Sequence, residues 1–342
     1  MRNVVILALF GLCVNLLAWI GLAWDASTDH STQILLNVSY DPTRELWREL
    51  NAAFRSSYEA TTGTRLAVRQ SHGGSGSQAR AVIDGLPADV VTLALWSDTD
   101  ALRSKGLIAQ DWESRLPNQS LPYYSTIVFV VRRGNPKAIH DWPDLVRDGV
   151  QVITPNPKTS GNGKLSFLGA WGAVRQQGGS EAAARAYLAE LYRHVPVLDT
   201  GARGSTTTFA QNRIGDVHLT WENEAHLEVR ESGGVLEIVY PPASIRAEPY
   251  VAVVDKNVDS RGTRSAAEAY LRFLWTEPAQ EIIARHHHRP VNASVAERYR
   301  PQLPAMELFP ITAVAKSWAD AQKRFFAEGG EFDKLYQSGG SR

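Results

Sequence analysis

Cysteine is almost absent. The one thiol among 342 residues is Cys13, and it lies inside an N-terminal apolar run. A disulfide framework, a cysteine-based zinc cluster and a cysteine nucleophile are therefore excluded from the rest of the chain. An excess of charge of either sign is missing too, because 36 Lys plus Arg balance 36 Asp plus Glu. That balance removes the electrostatic footprint of a nucleic-acid binder. Long apolar runs are lacking except for one, residues 4–24, which carries no charge and follows Arg2. This is the layout of a secretory signal or a single membrane anchor, so the remainder is expected to be exported. The run is long enough to span a bilayer, no small-x-small cleavage site follows it, and Leu12 before Cys13 spoils a lipoprotein signal. A cleaved signal is the reading adopted, with a retained inner-membrane tether as the alternative.

What is present is ordinary globular material: 44% hydrophobic and 21% charged residues over a length sufficient for one large domain or two smaller ones. After a polar linker at 25–32, short β-rich runs alternate with helical patterns, which predicts an α/β fold with mostly parallel sheet. The run 34–38 reads as a first strand. Over 42–61, Leu46, Leu50, Phe54 and Tyr58 form a four-residue stripe, with Asp41 and Pro42 as cap and first turn and Gly63 past the end. Strands follow at 66–70 and 88–95 around a Gly-rich loop and a helix at 77–84. A second set begins near 125–132 and includes 151–154, 216–221, 236–240 and 250–254, so two α/β lobes are expected. Helices are read at 180–194 and 263–275. The tail 313–336 reads as an amphipathic helix whose Trp318, Phe325, Phe326 and Phe332 pack on a lobe.

Four small-residue loops each join a strand to a helix, at the end where open α/β sheets bind ligands. They span 39–43, 71–77, 159–164 and 200–205. Any one of them is adequately explained as a tight turn with a Ser cap. Together they form a set of helix N-termini, whose unpaired N–H groups and partial positive charge suit an anion. Gly74, Gly76 and Ala79 meet the loose dinucleotide fingerprint, with Asp98 about twenty residues on, which keeps a nicotinamide-dependent oxidoreductase as a remote alternative. Gly161, Gly163 and Lys164 resemble a phosphate loop, but Lys158 replaces its first Gly and Leu165 its Ser or Thr. A nucleophile elbow is absent, and no H-E-x-x-H occurs. His286, His287 and His288 are consecutive, so they point in different directions and are read as helix-end or packing residues rather than metal ligands.

The strings LLNVSYDPTRELW, QSHGGSG, VTLAL, STIVFVVRRGNPK, ITPNPK, GARGST and WENEA occur in this order. Through them the chain resembles the periplasmic sulfate-binding and thiosulfate-binding proteins of ATP-binding-cassette importers, from about Gln33 to Tyr336. The resemblance implies a two-lobed type II binding protein with two crossover strands as hinge. Lobe I would comprise 33–126 and 252–342, lobe II 127–251, and 1–24 would be the signal or anchor. It implies a monomeric, periplasmic receptor rather than an enzyme, with no cofactor, no metal and no nucleic acid, whose partner is a membrane permease. A dianion would be held in the cleft by the amides of Asp41 and Ser75 from one lobe. The other lobe would supply the Ser160 hydroxyl, the amides of Gly161, Asn162 and Ala202, and the Trp221 indole N–H. Arg203 would stand behind its loop or bridge the lobes. Another tetrahedral oxyanion, molybdate or phosphate, is the nearer alternative ligand.

Three departures from the family pattern stand out. Asn162 replaces a second Gly, which is harmless if only its amide is needed. Gly163, Lys164 and Leu165 differ, which would bring a Lys near the mouth. His287 and His288 replace an aromatic pair before Arg289 and Pro290.

Overall fold

The computed structural model describes residues 32–339. The apolar segment 4–24 and all but the last residue of the linker lie outside the described residues. Strand β1 (Gln33–Tyr40) leads through a single 3₁₀ turn into the helix Arg44–Thr62, which buries Leu46, Leu50 and Phe54. Gly63 ends that helix at φ +70°, a left-handed position that a side chain would strain. Strand β2 (Leu66–Gly73) returns parallel to β1, and after the helix Ser75–Ile83 strand β3 (Val90–Thr92) lies parallel on β1's other side.

The chain then crosses to a second sheet. Strand β4 (Tyr123–Tyr124) precedes the crossing, and β5 (Ile127–Arg132), β6 (Val152–Ile153), β7 (Val217–Trp221) and β8 (Leu236–Val239) assemble in the order β6-β7-β5-β8. After β9 (Ala243–Ile245) the chain crosses back, and β10 (Val251–Val253) completes the first sheet in the order β10-β3-β1-β2. The two crossings lie side by side, with Ser125 and Ala247 exchanging both backbone hydrogen bonds at 2.9 Å.

The α/β class stands, but the sheets are mixed rather than mostly parallel. β5 runs antiparallel to β7 and to β8, and β10 antiparallel to β3. The cause is topological: β5 and β10 enter their sheets from the hinge, so they start where β7 and β3 end.

The tail also departs from the expected division. It is a series of short helical turns, and it packs on the second lobe rather than the first. Phe325 meets Trp171 at 4.9 Å, Phe332 meets Tyr192 at 5.2 Å, and Glu331 accepts from Arg185 at 2.7 Å. Strand β12 (Glu307–Phe309), which follows the short β11 (Arg289–Pro290), joins β9 in parallel, so the chain crosses between lobes a third time. Aromatic spacing announces burial in this segment without saying which lobe supplies the matching surface.

Candidate anion-binding site

Five helical segments begin at one cavity between the lobes. It is lined by Tyr40, Asp41 and Pro42, by Gly73, Gly74 and Ser75, by Ala94, by Ser160, Gly161 and Asn162, by Gly201 and Ala202, and by Trp221. All seven residues singled out from the sequence are on this wall. Asp41 opens the 3₁₀ turn ahead of Arg44–Thr62, Ser75 opens Ser75–Ile83, Gly161 opens Gly161–Gln176, Ala202 opens Ala202–Thr206, and Trp221 caps Glu222–Glu231. First-turn amides have no acceptor within their own helix. A cluster of them therefore presents donors and aligned dipoles to whatever occupies the cavity.

The local chemistry keeps those amides neutral and accessible. The cap of the first turn is Tyr40 rather than Asp41, and Thr43 Oγ1 donates back to the Tyr40 carbonyl at 2.7 Å. Asp41 carries the single carboxylate among the lining residues, and Arg44 holds it at 2.7 Å. The Ser75 hydroxyl is already engaged: it donates to Asp98 Oδ2 at 2.5 Å and accepts from the Ala94 amide at 3.0 Å, which leaves its own amide for the cavity. That bond also occupies the carboxylate that a dinucleotide fingerprint would need for a ribose. Ser160 accepts from the Gly163 amide at 3.4 Å, so its proton remains free to be donated. No Lys or Arg lines the wall.

The lobes meet around the cavity. Trp221 and Tyr40 pack at 5.4 Å, and Asn223 Nδ2 donates to the Pro42 carbonyl at 2.9 Å. A Cβ on Gly161 would lie 2.9 Å from the Ala94 Cβ, which is why the approach of one lobe to the other requires glycine there. Arg203 does not line the cavity. It pairs with Glu224 at 2.6 Å within its lobe and with Glu45 at 2.9 Å across the gap, which is the bridging role. Burial pushes the Glu224 carboxyl up against the pull of Arg203, whereas at Glu45 burial is opposed by Arg203, a backbone hydrogen bond and Arg48, which together hold the carboxyl low.

The departures resolve individually. Asn162 sits in the first helical turn with its side chain turned inward, donating to the Leu219 carbonyl at 3.1 Å. Lys164 is buried instead of standing at the mouth. Its ammonium meets Gln322 Oε1 at 3.0 Å and Asp98 across the lobes at 3.7 Å. His286 bonds Glu49 at 2.8 Å, His287 stacks on His226, and His288 is buried edge-on to Tyr123 at 4.8 Å. Among the described residues no group of three or more His, Cys, Asp or Glu could hold a metal ion, and no helix is long and apolar enough to cross a membrane. Sequence reasoning missed Asp98 as a support of the site and Glu222 as the partner of Arg289, at 2.7 and 2.8 Å. Neither pairing leaves a spacing signal, since the partners are far apart in the chain.

Residues 35–289 match the family model described as bacterial extracellular solute-binding protein. The chain is 50% identical over 309 residues to a thiosulfate-binding protein of Pseudomonas aeruginosa, covering 90% of this chain and 93% of that one. It is 52% identical over 303 residues to a sulfate-binding protein of Escherichia coli, covering 88% and 92%. Among solved structures it resembles the sulfate-binding protein SubI of Mycobacterium tuberculosis, with a TM-score of 0.78 and 31% identity over 86% of this chain and 99% of that one. A Bordetella ferric binding protein, 17% identical with a TM-score of 0.56 over 89% and 99%, shares the fold alone. The chain belongs to the bacterial extracellular solute-binding proteins, in the group formed by the sulfate-binding and thiosulfate-binding proteins with their two-lobed type II fold.

Proposed function

We propose that this protein is the periplasmic receptor that captures sulfate, thiosulfate or both between its lobes and hands the anion to the permease of an ATP-binding-cassette importer. The observation that carries the reading is the convergence of helix starts from both lobes on a cavity without a cationic side chain. The dianion would accept hydrogen bonds from the amides of Asp41, Ser75, Gly161, Asn162 and Ala202, from the Ser160 hydroxyl and from the Trp221 indole. Desolvating a dianion is costly, and several charge-assisted bonds made at once offset it only when both lobes contribute. The relatives are binding proteins by name and by family model, which supports a binding role over an enzymatic one.

A wall of donors selects by protonation state. Sulfate at neutral pH is fully deprotonated, whereas phosphate retains a proton that needs an acceptor. Burying that O–H unpaired costs about 1–3 kcal/mol, or roughly one to two orders of magnitude in affinity. Calorimetric titration at neutral pH with sulfate, thiosulfate, molybdate and phosphate tests this. Tight one-to-one binding of sulfate or thiosulfate with phosphate at least about tenfold weaker is the expected result. Equal affinity for phosphate would remove the all-donor explanation.

Trp221→Phe and Ser160→Ala each delete one donor. Each should weaken sulfate binding by about an order of magnitude, consistent with the loss of one hydrogen bond to a charged partner. An unchanged dissociation constant would strike that residue from the ligand shell.

A further inference from the structure

Away from the anion cavity, His226 and His287 stack face to face with ring centroids 3.8 Å apart and planes 9° from parallel. His226 lies on the helix Glu222–Glu231 of the second lobe, and His287 follows the helix Glu277–Arg285, which packs on the first. We propose that this interlobe imidazole pair is an acid-sensitive catch: neutral rings stack and permit closure, and protonated rings repel and open the cleft. The inference rests on the receptor reading above and adds its regulation.

The surroundings favour the neutral pair. On the second-lobe helix, Glu222 is taken by Arg289, Glu224 by Arg203 and Glu228 by His218. From the first lobe, Glu45 faces Arg203, and Glu49 is held by both Arg285 and His286. Tyr240 Oη lies 3.0 Å from His226 Nε2. Every neighbouring carboxylate is thus engaged, while Arg230, Arg289 and His286 oppose any added positive charge. Burial first, then His287 and Arg289 at His226 and Arg230 and His286 at His287, pull both imidazoles down to about 4. His287 also sits at φ +57°, in the left-handed region.

The sign follows from linkage. A histidine that is neutral in the closed form and ordinary in the open form leaves closure unopposed above about pH 6.5 and opposes it progressively more as pH falls toward about 4. Sulfate keeps both charges across this range, so the ligand does not titrate with the protein.

The test is sulfate affinity of the full exported chain from pH 8 to pH 5, for the wild type and for His226→Phe, His287→Phe and the double variant, whose rings still stack but cannot protonate. Wild-type affinity should fall about tenfold or more between pH 7.5 and 5, and the double variant should lose no more than about threefold. Parallel losses in all four proteins would assign the effect to the carboxylates and overturn the catch. A ring-proton NMR titration of the wild type is independent of how the variants fold. His226 and His287 should titrate near neutrality without sulfate and well below pH 5 with it, and identical titrations in both states would overturn the proposal. Failure to bind sulfate at pH 7.5 would overturn the receptor reading itself, an outcome distinct from pH-independent binding.

Discussion

Arg289→Ala should destabilise the protein by about 3–5 kcal/mol, the cost typical of breaking a buried ion pair from one side. Arg289 makes a two-pronged contact with Glu222, at 2.7 Å through Nε and 2.8 Å through Nη2, and also donates to the Pro304 carbonyl at 2.8 Å. The Glu222 side chain is fully buried and that of Arg289 only 9% exposed. Glu222 begins the helix after Trp221, and its amide bonds the Thr126 carbonyl at the crossover, so the pair fastens the hinge to the cleft wall. Burial already pushes the Glu222 carboxyl up, with Arg289 pulling it back. Without the guanidinium the carboxyl would rise further and be protonated in the folded state at a higher pH than in the unfolded state. The folded form of the variant then binds the extra proton, so its deficit should shrink as pH falls and grow as pH rises through the folded pKa. Urea unfolding of the variant at pH 5 and pH 8 reads this directly. Adding Glu222→Gln should recover part of the loss at pH 8, because a neutral amide is less costly to bury than an unpaired carboxylate. A deficit that does not depend on pH, or a double variant no better than the single one, would show that the lost packing of Arg289 dominates.

The contrast between what the sequence discloses and what it hides follows from range. Leu46, Leu50 and Phe54 declare their helix because the stripe is local, and the four loops declare themselves because Gly, Ser and Asx-Pro have conformational meanings that need no partner. Residues of all four loops then line one cavity, to which the ends of β1 and β2 in one sheet contribute Tyr40 and Gly73 and the end of β7 in the other contributes Trp221. The pairings that hold the lobes against each other are not local. Lys164 was expected near the mouth because it follows a cleft loop, yet its long stem passes between Asp98 and Gln322, which are supplied by distant parts of the chain. The antiparallel sense of β5 and β10 is likewise set by the double crossover and leaves no trace in strand composition. The tail shows the same limit: Phe325 and Phe332 announce burial, and only the shape of the surface around Trp171 and Tyr192 decides where.

Asp98→Ala should lower sulfate affinity by about a hundredfold without touching the ligand, the equivalent of roughly 2.7 kcal/mol. Asp98 lies in the first turn of the helix Trp96–Ser104 in the first lobe and does two things at once. Its Oδ2 accepts from the Ser75 hydroxyl at 2.5 Å, which fixes the loop whose amide faces the cavity. Its Oδ1 lies 3.7 Å from Lys164 Nζ, on the helix that presents Gly161 and Asn162 from the other lobe, and both side chains are about nine-tenths buried. Opening the cleft separates this pair and returns both charges to water. Closing it without Asp98 would bury the Lys164 ammonium against Gln322 and the Phe326 ring with no carboxylate opposite, a penalty felt in the closed state alone. The loss should therefore appear as faster release of the anion rather than slower capture. Asp98→Asn, which keeps an acceptor for Ser75 but not the charge, should fall between the wild type and alanine. A double-mutant cycle with Lys164→Met separates the two roles, because removing the ammonium relieves the unpaired charge and leaves only the loosened Ser75 loop. If Asp98→Ala and the double variant bind sulfate equally weakly, the interlobe charge pair contributes nothing and the whole effect belongs to Ser75.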